Sequence, residues 1–474
     1  VTRLNYLRKN KHAKFQSRFS HLRGSRFSAP PGSVKLGKND LPQFQPIETS
    51  EHIKTCFFVL FGLALILLAF FFNTPREIWD GNIKLVTSSA NLLTDYIELT
   101  SIGATLFNAG SMALLSIATI KVTKTEISGI LVAAIFTLTG FSFFGKNLLN
   151  SIPIVIGVYL YAKIVRNPPE KYLVQALFGT ALGPLVSEIT FNIGLPIVPA
   201  ILLGFFSGVF VGFILQPIAS HVKNFHMGFS LYNVGFAAGI IGMVFLAVLR
   251  GFNIEVMPVS ILSSGNNSNF TTLLIAMFTI MLVFGLFCNR WSLRGFKTLL
   301  MQPGKQGTDL IAISGFGPTL INMALLGYMM TAYVLIMKGQ INGPVIGGVF
   351  TVVGFGAAGK NIKNVLPVIV GVFLANLMNI HDHATTVSII AALFGTTLAP
   401  IAGVYGAGYG IIAGFLHMAL TMNIGYLHGG MNLYNNGFSG GFVAAVLVPL
   451  IDKANEIKAT RKEKAVASQQ INKD

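Results

Sequence analysis

One polar pattern is written twice inside apolar surroundings, and it constrains this chain more than anything else. Gly140-Phe141, Gly145-Lys146-Asn147, Asn150, Pro153 and Gly157 return, in order and at the same spacing, as Gly354-Phe355, Gly359-Lys360-Asn361, Asn364, Pro367 and Gly371. The match extends outward from there. Asp95, Gly103, Thr105 and Asn108 align with Asp309, Gly317, Thr319 and Asn322. ALFGTALGPL at 176–185 aligns with ALFGTTLAPI at 392–401. The string H-x-G-x-x-L-Y-N-x-G-F runs from His226 through Tyr232 and Asn233 to Phe236, and again from His428 through Tyr434 and Asn435 to Phe438. The chain therefore reads as two copies of one unit, roughly 200 residues apart.

Composition says where such a unit lives. Only 11% of the 474 residues are charged, against about 25% in a soluble protein, and the mean hydropathy is +0.66. The chain cannot cover itself with charge, so it is expected to be a multi-pass membrane protein. Residues 56–72 carry no charge at all, which suits a span of about 20 apolar residues. The expected fold class is an all-α polytopic membrane protein with two homologous halves of about seven segments each. In the first half these lie near 55–73, 96–120, 127–144, 149–165, 172–188, 196–218 and 228–249. In the second they lie near 271–288, 310–335, 345–358, 365–380, 387–402, 405–423 and 431–450. The expected domains are a basic, disordered tail over 1–53, membrane repeats over 54–250 and 271–451, a connecting loop over 251–270, and a C-terminal tail over 452–474.

An odd number of spans per half inverts the second half relative to the first. Lys and Arg favour the cytoplasmic side, so equivalent loops should then alternate in charge. Arg76 and Lys84 are offset by Glu77 and Asp80, whereas the partner loop carries Arg290, Arg294, Lys297 and Lys305. Lys163, Arg166 and Lys171 stand opposite the loop around His381, which has neither Lys nor Arg. The alternation predicts inverted repeats with both termini cytoplasmic, in a plasma membrane.

The net charge of +17 is not read as a nucleic-acid signal. Much of the excess sits in the two tails, where basic flanks beside a membrane span are routine and can hold a tail against anionic lipid. The long basic stretch before the first apolar run does not fit a cleavable signal peptide. Cys56 and Cys288 imply no disulfide framework. No phosphate loop, zinc spacing or nucleophile elbow is present, so no cofactor and no metal are expected, and His381-x-His383 lacks the further ligands a metal needs.

Polar groups inside a bilayer must be satisfied within the protein. The matched ones are the candidate substrate-binding residues: Thr105, Asn108, Lys146, Asn147, Tyr232 and Asn233, with Thr319, Asn322, Lys360, Asn361, Tyr434 and Asn435. Asn, Thr and Tyr supply donors and acceptors for a solute, and they equally glue membrane helices together. Lys146 and Lys360 each precede an Asn at a helix start, where anions are attracted; the competing reading is a surface turn whose Lys snorkels to water. Thr180 and Thr396 are a further matched pair. Glu188 occurs in one half only and reads as a surface carboxylate before Gly194, with ion coupling as the sharper alternative. His226 and His428 read as lying near helix starts.

The doubled G-K-N-x-x-N-x-x-P and H-x-G-x-x-L-Y-N-x-G-F patterns resemble an uncharacterised bacterial membrane family, a domain of about 180 residues carried twice per chain. That resemblance implies a bacterial plasma-membrane protein and supplies no substrate. A weaker likeness, resting on Tyr232-Asn233 and Tyr434-Asn435, is to urea channels. The expectation is a transporter or channel for a small polar solute or ion, possible as a homo-oligomer, and not an enzyme. The alternatives are a membrane-embedded enzyme on a lipid-linked substrate and a structural protein without a pathway. A polar cavity crossing the pseudo-two-fold axis favours the first, a one-sided pocket the second, and a dry centre the third.

Overall fold

The computed structural model describes residues 45–256, 259–378 and 382–471. Residues 1–44 of the expected tail and His381 of the paired-histidine loop lie outside them. Of the described residues, 45–448 form one compact unit, and 449–471 belong to another. Among the described residues, ten helices are long and apolar enough to cross a membrane. Four more are apolar but short: Gly129–Phe141 and Leu148–Ile164 in the first half, Gly343–Phe355 and Ile362–Leu377 in the second. The same two segments are shortened in each half, so the all-α architecture of seven segments per half is the observed one.

Burial sorts the helices into layers. Glu51–Phe72, Ile197–Phe225 and Asn267–Cys288 are only 28% buried, with Leu60, Phe71, Phe206 and Ile280 turned outward; these are lipid-facing walls. Pro169–Phe191 and Thr386–Tyr405 are 89% and 83% buried and form the inner layer. At the centre, Gly129–Phe141 buries every residue but Ile130, and Gly343–Phe355 buries all of its own.

The halves are inverted, and helix direction is the evidence. The two central helices pack antiparallel. A Cβ built on Gly140 would lie 2.9 Å from Phe350 and one on Gly354 2.7 Å from Phe136, and the Phe136 and Phe350 rings meet at 5.9 Å. Phe57, near the start of the first span, stacks at 4.9 Å on Phe284, near the end of its counterpart. Equivalent spans that run in opposite directions require a pseudo-two-fold axis lying in the membrane plane. Glycine makes the other close crossings possible. A Cβ on Gly157 would sit 2.0 Å from the Val209 carbonyl, and one on Gly371 2.0 Å from the Ile411 carbonyl, so backbones touch there in both halves.

The face where Glu51–Phe72 begins is called proximal here, and the opposite face distal. Glu51 accepts a hydrogen bond from Ile127 N at 2.9 Å, and Gly129 lies against the Ala357 carbonyl. The start of one central helix and the end of the other are therefore both proximal. On the distal face Leu93–Thr94 pairs in parallel with Ser260–Ile261, the connector between the halves. A helix of 13 residues is about 20 Å long, short of the ~30 Å hydrocarbon core. The turns that follow the two central helices are thus recessed from opposite faces.

Candidate functional site

Each recessed turn carries one of the duplicated lysines, and the same local chemistry builds both. Gly145 (φ +67) and Gly359 (φ +119) take the left-handed backbone that lets the chain reverse. Asn147 and Asn361 then cap the next helices through reciprocal bonds with Asn150 and Asn364. Asn108 Nδ2 donates to the carbonyls of Ser142 (2.8 Å) and Lys146 (3.0 Å). Asn322 Nδ2 donates to those of Gly356 and Lys360, both at 2.8 Å. With their own backbones fixed, Lys146 and Lys360 project inward, each 0% exposed. The surface-turn reading is therefore overturned: the caps aim both amines into the protein, not toward water.

The tyrosine motif reaches the same centre from the other half. Leu231 N bonds the Thr397 carbonyl and Leu433 N the Ala181 carbonyl, both at 3.1 Å. Each tyrosine loop is thus pinned to a 3-10 turn of the opposite repeat, Thr180–Leu182 or Thr396–Leu398. These turns interrupt the inner spans because Pro184 and Pro400 cannot donate to the carbonyls of Thr180 and Thr396 four residues back, and a mid-helix 3-10 stretch commonly marks a hinge. Tyr232 and Tyr434 meet at the axis with ring centroids 5.0 Å apart. Phe355 lies 4.8 Å from Tyr232, and Phe141 4.8 Å from Tyr434.

The two lysines are equivalent in sequence but not in contacts. Lys360 Nζ donates to Tyr232 Oη and to Thr396 Oγ1, the latter at 2.6 Å. Thr396 is free to accept because its own proton goes to the Leu393 carbonyl. The Lys360 amine also lies 4.5 Å from the Tyr232 ring centroid. Lys146 Nζ has no hydrogen-bond partner and stands 5.4 Å from the Phe141 ring centroid. Tyr434 Oη, its counterpart hydroxyl, is instead 3.4 Å from Thr137 Oγ1. One sequence difference accompanies the asymmetry: Thr397 Oγ1 accepts from Tyr232 N at 3.0 Å, and Ala181 stands in its place in the first half.

A cavity of about 270 Å³ leads to this cluster. Both halves line it. Its rim holds the exposed Lys223 and Gly307, and its floor is Tyr232, Phe355, Tyr434 and Phe178. On the distal side the chain is laced across the Lys146 turn. Leu92 N bonds the Gly430 carbonyl at 3.0 Å. Asp95 receives Ser263 N at 3.0 Å and Ser263 Oγ at 2.6 Å.

Of the candidate residues, the structure brings together Tyr232, Lys360 and Tyr434, with Lys146 linked to Tyr434 through the Phe141 ring. Asn108, Asn147, Asn322 and Asn361 hold the lysine turns from outside. Thr105 and Thr319 direct their hydroxyls to the main chain of Ser101 and Gly315. Asn233 lines the cavity but is occupied by His226 and the Ala219 carbonyl; Asn435 is buried with an unpartnered Oδ1. Glu188 is not a surface carboxylate: it is 1% exposed, with Asn192 Nδ2 on one oxygen and nothing on the other. The helix runs on to Phe191, and Ile197–Phe225 packs over it. His226 and His428 sit at helix ends, not starts, because Gly228 and the paired Gly429-Gly430 turn the chain just beyond them at positive φ. Sequence reasoning passed over His417, which is fully buried and touches Asn436 and Thr421. Its one signal is a histidine where the first half has Leu215. It also passed over Thr397 and the ring partners Phe141, Phe178, Phe355 and Phe394, although the pairs Gly140-Phe141 and Gly354-Phe355 and the repeated A-L-F-G-T string contain all four rings.

The DUF1576 family, described as a protein of unknown function, matches residues 74–251 and again 288–453. The chain belongs to that family and carries its domain twice. No curated protein and no solved structure matches the chain.

Proposed function

We propose that this two-domain chain is a membrane transporter for a small polar solute, working by alternating access between its inverted halves. The observation that carries the reading is the cavity shared by both halves, which ends at the tyrosine pair on the pseudo-two-fold axis. Transporters built from inverted repeats place substrate near the midplane at the repeat interface and expose it to one face at a time. In that scheme the asymmetry of the lysines is the record of one state. With the proximal side open, Lys360 is engaged with Tyr232 and Thr396; exchanging the halves gives a distal-open state in which Lys146 engages Tyr434 and Thr180.

Charge assigns the faces under the same reading. Lys121, Lys124, Lys163, Arg166, Lys171, Arg290, Arg294, Lys297 and Lys305 all fall at or just beyond the proximal ends of helices, with Glu126, Glu170 and Asp309 among them. The distal turns carry Arg76, Lys84, Arg250 and Lys338 beside Glu77, Asp80 and Glu255. Basic turns favour the cytoplasm, so the proximal face and both tails are cytoplasmic, in the plasma membrane.

The cavity opens to one face and does not cross the axis, which is the outcome expected of a membrane enzyme. Against it stands the second lysine, which lies beyond the tyrosine pair on the closed side and has no part in chemistry approached from the proximal face. The deciding experiment is solute flux into proteoliposomes over a panel of neutral solutes, amino acids and anions, with and without sodium and proton gradients. Flux of one class, lost in a folded Tyr232→Ala/Tyr434→Ala variant, supports the pathway. Correctly inserted protein that moves nothing across the panel removes it.

A further inference from the structure

We propose that the Lys146–Tyr434–Tyr232–Lys360 cluster binds a small organic anion, with its carboxylate or similar oxyanion group on a lysine amine and its apolar part against the rings. This deepens the pathway reading above and rests on it for the step of transport, though not for binding.

Two fully buried lysines without a counter-charge are the first argument. The salt bridges found among the described residues are all pairs three or four positions apart elsewhere in the chain, and no charged group acts on either amine. Removing an ammonium from water with no opposite charge costs several kcal/mol. Lys360 recovers part of that from two neutral hydroxyls, and Lys146 from none. A site with this composition gains most from an anion.

Most of the unfilled hydrogen-bonding capacity beside Lys146 belongs to donors, with Asn435 Oδ1 an unpartnered acceptor among them. On the distal side of the tyrosine pair, Lys146 Nζ, Asn91 Nδ2 and Asn432 Nδ2 are buried donors without partners. Their segments abut: a Cβ on Gly145 would lie 3.2 Å from the Asn91 carbonyl and 2.7 Å from Leu433. Donors on abutting segments suit oxygen ligands. A cation would find Asn435 Oδ1 as the open acceptor beside these donors, and the hydroxyls of Tyr232 and Thr396 are already turned to the Lys360 amine. The approach agrees. Lys223 stands at the cavity rim, and Lys305 lies 4.2 Å over the Phe229 ring in the loop that borders it. Asp309, the carboxylate in the lining, is spent capping the helix Leu310–Ser314. Basic rims concentrate anions.

The rings select the rest of the molecule. The cavity floor is aromatic, and Tyr232 and Phe355 separate it from Lys360, whose amine lies against both rings. An inorganic oxyanion would leave those faces unused; an organic acid covers them, and its charged end meets the amine once the Tyr232 and Phe355 rings part.

The test is binding first and flux second, on the full chain. Purified protein is melted in detergent with acetate, benzoate, succinate, phosphate, sulfate, benzyl alcohol and choline, since a ligand that binds only the folded state raises the melting temperature with its concentration. The expected result is a rise with one or more organic carboxylates and none with benzyl alcohol or choline. Lys360→Met and Lys146→Met should weaken that ligand on the order of ten- to a hundredfold, the span of a charged hydrogen bond. The wild-type panel needs no variant to fold, so it stands alone as a test. A response to phosphate or sulfate with none to the organic acids overturns the organic part. A wild type that transports neutral or cationic solutes and ignores every anion overturns the proposal and leaves the pathway standing. Lysine-dependent anion binding without flux in proteoliposomes upholds the site and overturns the pathway.

Discussion

Removing one hydroxyl at the axis should tilt the protein one way, and removing its pseudo-symmetric twin should tilt it the other. Tyr232→Phe deletes the oxygen that accepts from Lys360. A hydrogen bond to a charged group contributes about 1.5–3 kcal/mol, and here it is fully buried. Tyr434→Phe deletes a hydroxyl whose contact with Thr137 spans 3.4 Å, a long neutral bond worth at most about 0.5 kcal/mol. The proximal-open state therefore loses much from the first change and little from the second. In the exchanged state the roles reverse, because Tyr434 then receives Lys146. Tyr232→Phe should shift the equilibrium toward distal-open by roughly 10- to 150-fold, and Tyr434→Phe toward proximal-open by a similar factor. The assay is the rate of modification of a cysteine at the cavity lining, Thr308→Cys, by a membrane-impermeant thiol reagent, with Cys56 and Cys288 replaced by Ala. Tyr232→Phe should slow labelling, Tyr434→Phe should leave it or speed it, and the double variant should return near the starting rate. If both single variants slow labelling alike, the two-state exchange is wrong and the hydroxyls merely support packing.

Three further outcomes follow from the geometry. Asn322→Ala strips two buried carbonyls of their donor and should cost about 1–3 kcal/mol, toward the low end because polar contacts in membranes average less; thermal unfolding should show Asn108→Ala costing about the same, since its bonds are equivalent. Gly371→Val places a side chain where even a Cβ would be 2.0 Å from the Ile411 carbonyl, so no monodisperse protein should elute in gel filtration, whereas Gly408→Ala, with nothing near it, should behave as wild type. Glu77 is held below the usual carboxylate range by the bond from Thr74 N, then those from Asn73 and the Thr74 side chain. A depressed acid stabilises fully above its unfolded value and loses that stabilisation as pH falls through the folded one. Amides of the helix Pro75–Val86 should therefore lose exchange protection between pH ~6 and ~3, straddling the ordinary glutamate value, and Glu77→Gln should remove that dependence.

Much of the candidate site could be read from residue types, but not how it is wired. Lys146, Lys360, Tyr232 and Tyr434 stand out as matched polar residues in apolar runs. Asn147 and Asn361 stand out just as clearly and turn out to be helix caps, because an Asn three residues before another Asn satisfies the backbone locally whatever else is near. Thr105 and Thr319 turn back on their own helices for the same local reason. Glu188 shows the opposite failure. Its position near a span end suggested water, and only the helix packed over it decided its burial.

The sequence by itself determined the kind of object this is. Low charge, long apolar runs and a duplicated motif leave few options besides a membrane domain made of two like halves, and the alternation of loop charge gave their opposite orientation. Those properties follow from transfer free energies and chain periodicity, which are local. The tertiary structure decided which copies meet. Lys360 finds Tyr232 across 128 positions because each tyrosine loop is pinned to the opposite repeat, a contact that no local preference encodes. It also decided that the two halves differ. Nearly identical motifs leave one lysine bonded and the other without a partner, and the contacts that differ include Tyr232 N on Thr397 Oγ1, where the first half has Ala181.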